Sequence, residues 1–301
     1  MLGNLTTCGG RGAFTAIWTS MIGACLAIAV SAEQSAQPAN PHADVLSIGG
    51  SVTEIVAALG QQHRLTARDT TSSYPPEVTN LPDVGYMRSL SPEGVLSAGP
   101  SLILSEDGAG PPEALEVIRA ADVEFVEVPN ALSSQGIQRK IKLIGKALDV
   151  PDRAKALAAK VETDMAKAIQ DSARPEADKK RVLFVLSTQG GKINASGTGT
   201  AADALIRMAG GVNAITDYQG YKQITDEAVG LAAPDVILMM DRGGDHGVAD
   251  DELFDMPAIK LTPAAQSRSV VRMDGLLMLG FGPRTAEAIR NLNDALYGQG
   301  T

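Results

Sequence analysis

Tyr86 and Arg88 are the residues of this chain best placed to hold a ligand by chemistry. They stand in Asp83-Val-Gly-Tyr-Met-Arg88, and the whole chain has only five tyrosines. A phenol is an oxygen donor, and as phenolate it ligates ferric iron in a haem. In an extended segment an arginine two residues on points to the same side. Its guanidinium then favours the charged form of the phenol or grips a carboxylate through two parallel hydrogen bonds. A tyrosine packed at the edge of a loop is the other use of the same residues.

Other chemistry has little to work with. The three histidines are His42, His63 and His246, and the two cysteines are Cys8 and Cys25. His63, in Gln-Gln-His-Arg after a helix, reads as a solvated turn residue. There is no His-Glu-x-x-His metal spacing and no Gly-x-Ser-x-Gly elbow. Nucleophile–base pairs are therefore hard to assemble. Gly197-Thr-Gly199-Thr-Ala-Ala202 half resembles a dinucleotide fingerprint, but the preceding strand ends too early for the usual tight turn. A close-packed loop at a cleft is the simpler reading. An α/β enzyme that uses this loop for a nucleotide is the rival reading from a different class.

A repeat frames these residues. Leu90-Ser-Pro-Glu93 through Leu104 aligns with Ile224-Thr-Asp-Glu227 through Leu238. The copies are identical at Glu93/Glu227, Val95/Val229, Ala98/Ala232, Pro100/Pro234, Ile103/Ile237 and Leu104/Leu238. Each follows a Gly-Tyr pair, Gly85-Tyr86 and Gly220-Tyr221. The period is too long for a solenoid. It predicts two lobes of like build with a cleft between them, a preferred place for a ligand.

The elements that must position the site alternate strand and helix. Val45–Ile48, Leu65–Ala67, Ser101–Leu104 and Glu124–Val128 read as strands. Val52–Leu59, capped by Ser51 or Thr53, and Glu113–Ala121 read as helices. Such alternation predicts largely parallel sheets. Ile137–Ala173 is helical in pattern and interrupted by Pro151. Its second piece, Asp152–Ser172, is about 30 Å of helix, a connector between the lobes. Beyond it, Arg181–Ser187 reads as a strand, Thr188–Thr200 as a glycine-rich loop and Ala201–Ala209 as a helix. Val236–Met240 and Val270–Met273 read as strands, Asp241–Asp251 as a polar loop and Arg284–Tyr297 as the terminal helix. The expected fold class is α/β, two similar lobes with mostly parallel sheets joined by a long helix. Expected boundaries are 1–32 for an export signal, 33–43 for a polar leader, 44–150 for the first lobe, 151–173 for the connector and 174–301 for the second lobe.

The chain has 301 residues and a net charge of −9. This argues against nucleic acid, which needs concentrated Lys and Arg. Ala13–Val30 is apolar, Arg11 is the only charge before it, and Val30-Ser-Ala32 offers small residues for cleavage. An uncleaved anchor is the other reading. Ile22-Gly-Ala-Cys25 vaguely resembles a lipidation box, but the apolar run after the cysteine argues against it. With cleavage, the exported chain has no thiol, which removes cysteine catalysis and thiolate metal sites. The expected location is a bacterial periplasm.

Arg68-Asp-Thr-Thr-Ser72 with Leu81-Pro-Asp-Val-Gly-Tyr-Met-Arg-Ser-Leu-Ser91 resembles the periplasmic haem-binding proteins of bacterial haem ABC importers. These are solute-binding proteins with a helical (class III) backbone. Gly197–Ala204, Met208-Ala-Gly-Gly-Val-Asn213 and Leu279-Gly-Phe-Gly282 look like the same family, in order over about 44–297. The resemblance implies haem b, Fe(III) protoporphyrin IX, held between the lobes as cargo, with no reaction. It implies Tyr86 as axial iron ligand and Arg88 as partner of the tyrosine or of a propionate. Where some members have a second-lobe histidine this chain has Thr188. The iron is then five-coordinate, or His246 replaces that ligand, with Tyr221 a further cleft candidate. Glu93 and Glu227 resemble the paired acids that dock on an inner-membrane permease with its ATPase, although helix macrodipoles also favour acids at those positions. The binding protein is expected to be a monomer. A siderophore or corrinoid binder of the same fold is the alternative.

Overall fold

The computed structural model describes residues 43–130, 132–241 and 248–298. The export-signal region, its two cysteines and His246 lie outside the described residues. In chain order the first lobe has β1 (Val45–Ile48), α1 (Gly50–Ala58), β2 (Leu65–Arg68), α2 (Pro92–Ser97), β3 (Leu102–Glu106), α3 (Pro112–Ala120), β4 (Glu124–Val128) and α4 (Ser134–Ala147). Helix α5 (Pro151–Asp171) follows. The second lobe begins with β5 (Arg181–Ser187), β6 (Ile193–Ser196), α6 (Ala201–Met208), β7 (Val212–Asn213), β8 (Tyr221–Ile224) and α7 (Asp226–Ala232). It continues with β9 (Val236–Asp241), α8 (Asp250–Asp255), α9 (Pro263–Gln266), β10 (Val270–Asp274), α10 (Gly275–Leu279) and α11 (Thr285–Tyr297).

The first sheet runs β2-β1-β3-β4, every pair parallel. All of β3 is buried, as expected for a parallel strand covered on both faces. The second sheet runs β10-β9-β5-β6-β8, with β7 also beside β5. Its β10, β9, β5 and β7 pair in parallel, while β6 is antiparallel to both β5 and β8. The fold is thus α/β with two sheets, one all parallel and one mixed.

The repeat is structural. Ser91 and Thr225 each cap a helix by accepting from the backbone three residues on, Gly94 N at 3.3 Å and Ala228 N at 3.2 Å. Each helix is followed within two residues by one with positive φ, Gly99 at 62° and Ala233 at 41°. A proline and a buried strand, β3 or β9, come next.

One apolar core joins the lobes. It begins at Val45 and Leu104 on the first sheet and passes through Ile141, Val161 and Met165. It continues to Val182, Phe184, Leu238 and Leu292. Ala154, Ala158, Val161, Met165 and Ala168 form the buried stripe of α5, which packs on α4 and α11. Gly145 on α4 sets the closest approach: a Cβ there would lie 2.1 Å from that of Ala154. Pro151 occupies the first turn of α5, where its missing N–H costs nothing. Among the described residues no helix is long and apolar enough to cross a membrane.

Two expectations are corrected, and one strand is added. Helix α1 begins at Gly50, and neither Ser51 nor Thr53 caps it. The N-cap is Gly49, at φ 104°, which a side chain rarely adopts. Ser51 and Thr53 are buried inside the helix and bond instead to Glu106 and to Ser47 and Ser72. The segment Thr188–Thr200 contains β6, and Tyr221 opens a strand, β8. Both strands are short, and β8 is largely exposed and polar, so neither carries an apolar period.

Candidate functional site

The Tyr86 segment is fastened to the end of β2. Val84 N donates to Arg68 O at 2.9 Å, and Thr70 N to Gly85 O at 3.0 Å. The Arg68 guanidinium binds Asp83 at 3.0 Å, and Asp83 accepts from Gly85 N at 2.8 Å. Gly85, at φ 99°, then turns the chain. Tyr86–Ser89 is a tight turn, closed by Ser89 N donating to Tyr86 O at 2.7 Å, and not the extended segment expected. Met87 is buried in the core beneath. Tyr86 and Arg88 are left on the outside together, and Arg88 Nη1 donates to the Tyr86 phenol oxygen at 2.8 Å.

The pair faces a cavity of about 460 Å³ between the lobes, within the size range of small-ligand sites. The first lobe supplies a largely polar wall: Gly50, Ser51, Thr71, Ser73, Tyr86, Arg88, Glu106 and Asn130. The second supplies Leu186, Met240, Leu276 and Leu279, with Asp274, Gly275 and Gly280. Asp274 is held in place as the N-cap of α10, accepting from Leu277 N at 2.7 Å. Tyr86 is 43% exposed, high for a large aromatic side chain. A phenol oxygen with a cationic donor opposite an apolar wall suits a flat apolar ligand that carries a Lewis-acidic centre.

Below the first wall lies a buried charged set that sequence reasoning missed. Lys140 Nζ contacts Glu106 Oε1 at 2.6 Å and Ser51 Oγ at 2.8 Å, and Ser51 donates to the same carboxylate oxygen at 2.7 Å. Lys140 is fully buried. Behind the cavity, Glu54 on α1 meets Arg284 before α11, joining the lobes at 3.0 Å through Oε2 and Nη2. Burial pushes the Glu54 carboxyl up, and the hydrogen bonds and charge of Arg284 pull it back.

The remaining candidates divide. Tyr221 is not among the cavity-lining residues, and the charge of Arg88 is only a minor influence on its phenol. Its ring packs edge-on against Phe184 at 6.2 Å. Burial pushes its phenol up, against a hydrogen bond with Thr200, so it resists becoming phenolate. Thr188 follows β5, two residues past Leu186, and does not line the cavity either. Glu93 and Glu227 are exposed, each the second residue of its helix, α2 and α7.

The profile of the periplasmic binding protein family matches residues 45–276. Solved structures of similar shape include the periplasmic haem-binding protein BhuT in complex with two haems. It is 38% identical at a TM-score of 0.79, over 84% of this chain and 97% of that one. The periplasmic haem-binding protein RhuT from Roseiflexus sp. RS-1, in apo form, is also 38% identical. Its TM-score is 0.80, over 85% and 98% of the two chains. Among curated relatives, the ABC transporter substrate-binding lipoprotein YvrC of Bacillus subtilis is 27% identical over 84% of this chain and 79% of its own length. A vitamin B12-binding protein of Vibrio cholerae is 22% identical over 89% and 94%. The chain belongs to the periplasmic binding protein family and is a solute-binding protein, not an enzyme.

Proposed function

We propose that this protein captures ferric haem between its lobes in the periplasm and delivers it to the permease of an inner-membrane ABC importer. The observation that carries the reading is the Arg88–Tyr86 hydrogen bond on the cavity wall. Haem brings four equatorial nitrogens to its iron, so the protein needs to add only one strong axial donor. Tyr86 supplies it as phenolate, and Arg88 places a positive donor on the oxygen that carries the charge. Leu186, Met240, Leu276 and Leu279 bury the porphyrin face. An unactivated hydroxyl is a poor iron ligand and Tyr221 resists ionisation, so neither Thr188 nor Tyr221 joins Tyr86 as a second axial ligand. The 38% identity to two haem-binding neighbours supports this ligand.

A corrinoid is the second reading, favoured by the 22% identical B12-binding relative. Equilibrium dialysis against ferric haem and cobalamin separates the two. Haem retained one-to-one with cobalamin passing freely supports the reading, and the reverse overturns it.

Delivery needs contact with the transporter. Glu93 and Glu227 occupy matched places in the repeat and are exposed, so they suit basic sites on the two halves of a permease. Charge reversal of both to Lys is expected to abolish ligand transfer in reconstituted vesicles while leaving haem affinity intact. Transfer at the wild-type rate would reduce them to acids favoured at helix starts.

A further inference from the structure

The contact between Glu54 and Arg284 joins residues far apart in the chain at the back of the cavity. Glu54 lies one turn of α1 beyond Gly50 and Ser51, which line the first wall. Arg284 lies just past Leu279 and Gly280, which line the second. Both carboxylate oxygens are used: Oε1 accepts from the Arg284 backbone N and Oε2 from its guanidinium, each at 3.0 Å. The same guanidinium stacks 3.4 Å from the centre of the Tyr74 ring, again in the first lobe. The approach is tight, since a Cβ at Gly282 would stand 3.1 Å from Glu54 Oε1. Phe281, at φ 49° with its side chain buried, turns the chain into this position. Arg284 Nε is buried with no hydrogen-bond partner. Its placement therefore follows from the two lobes meeting there, at the cost of one bond.

We infer that the Glu54–Arg284 contact, seated on Tyr74, is a positioning device for ligand capture. It fixes the separation of the two cavity walls and so determines how long a ligand between them is retained. Helix α5 joins the lobes through the chain, and this contact joins them directly at the base of the cavity. A planar guanidinium held in two directions and stacked on a ring defines distance and angle together, which a lysine in its place does not.

The inference rests on the cleft being the ligand site, so the test has one arm that uses no ligand. Spin labels are placed on Ser97→Cys in the first lobe and Asp217→Cys in the second, both exposed, with Cys8 and Cys25 changed to Ser. Pulsed electron resonance then measures the inter-lobe distance distribution. The variants are Glu54→Gln with Arg284→Met, which removes both charges together, and Arg284→Lys, which keeps the charge. Both are expected to broaden the distribution. Both are also expected to raise the ferric haem dissociation rate about tenfold, the scale of losing a residue that supports a ligand. The thermal midpoint of the double variant is expected to stay near wild type, because a buried pair replaced together costs little. A distribution and dissociation rate unchanged in Arg284→Lys would overturn the inference and leave the pair a stability element. If wild-type protein holds no haem, the haem reading fails, and the distance distribution alone decides this inference.

Discussion

Tyr86→Phe is expected to cost more haem affinity than any other single change in the site. The variant keeps the ring and removes only the oxygen, so the fold and the apolar wall survive. Loss of a supporting partner around a metal ligand typically costs about 10–100-fold in affinity. Arg88→Ala, which removes the donor to the phenol at 2.8 Å, is expected to fall in that range. Losing the ligand atom itself should exceed it. Tyr221→Phe is the control: desolvation pushes its phenol up and it resists ionisation, so the change should leave affinity near wild type. Equilibrium titration of the three variants gives the order. If Tyr221→Phe has the large effect and Tyr86→Phe the small one, the iron is held from the second lobe.

The largest effect on stability is expected at Lys140. Its ammonium is fully buried against Glu106 and Ser51. Lys140→Met leaves the Glu106 carboxylate in a low-dielectric site without its counter-charge. Breaking a buried pair in this way costs about 3–5 kcal/mol, a large share of the roughly 5–15 kcal/mol that holds a folded domain. Adding Glu106→Gln should recover most of the loss, because the orphaned charge is then gone. Urea unfolding of the single and double variants measures both values. A double variant no more stable than Lys140→Met would show that an orphaned Glu106 charge is not what the single change costs.

Lys140 also marks where sequence reading stops. A lysine on an amphipathic helix is expected at the surface, and nothing local tells that this one reaches under the cavity to a glutamate on β3. Glu54 and Arg284 pose the same problem at greater sequence distance, since their pairing depends on how the lobes close. The short strands β6 and β8 escaped notice because four residues are too few to carry an apolar period, and β8, at the sheet edge, is polar and exposed. The repeat was legible, because Glu93 and Glu227 near the helix starts, Pro100 and Pro234, and the apolar strands after them all state their roles locally. The Tyr86–Arg88 pair was legible as residue types with a spacing. The reason they meet was not: a turn after a positive-φ glycine brings them together, and Met87 between them is drawn into the core.

The measurement that tests the central claim most directly is a visible-spectrum titration of the protein with ferric haem. The account predicts a saturable one-to-one complex with the charge-transfer bands of tyrosinate-ligated, high-spin iron, and their disappearance in Tyr86→Phe. A spectrum that stays that of free haem in buffer, or tyrosinate bands that persist in Tyr86→Phe, would contradict it.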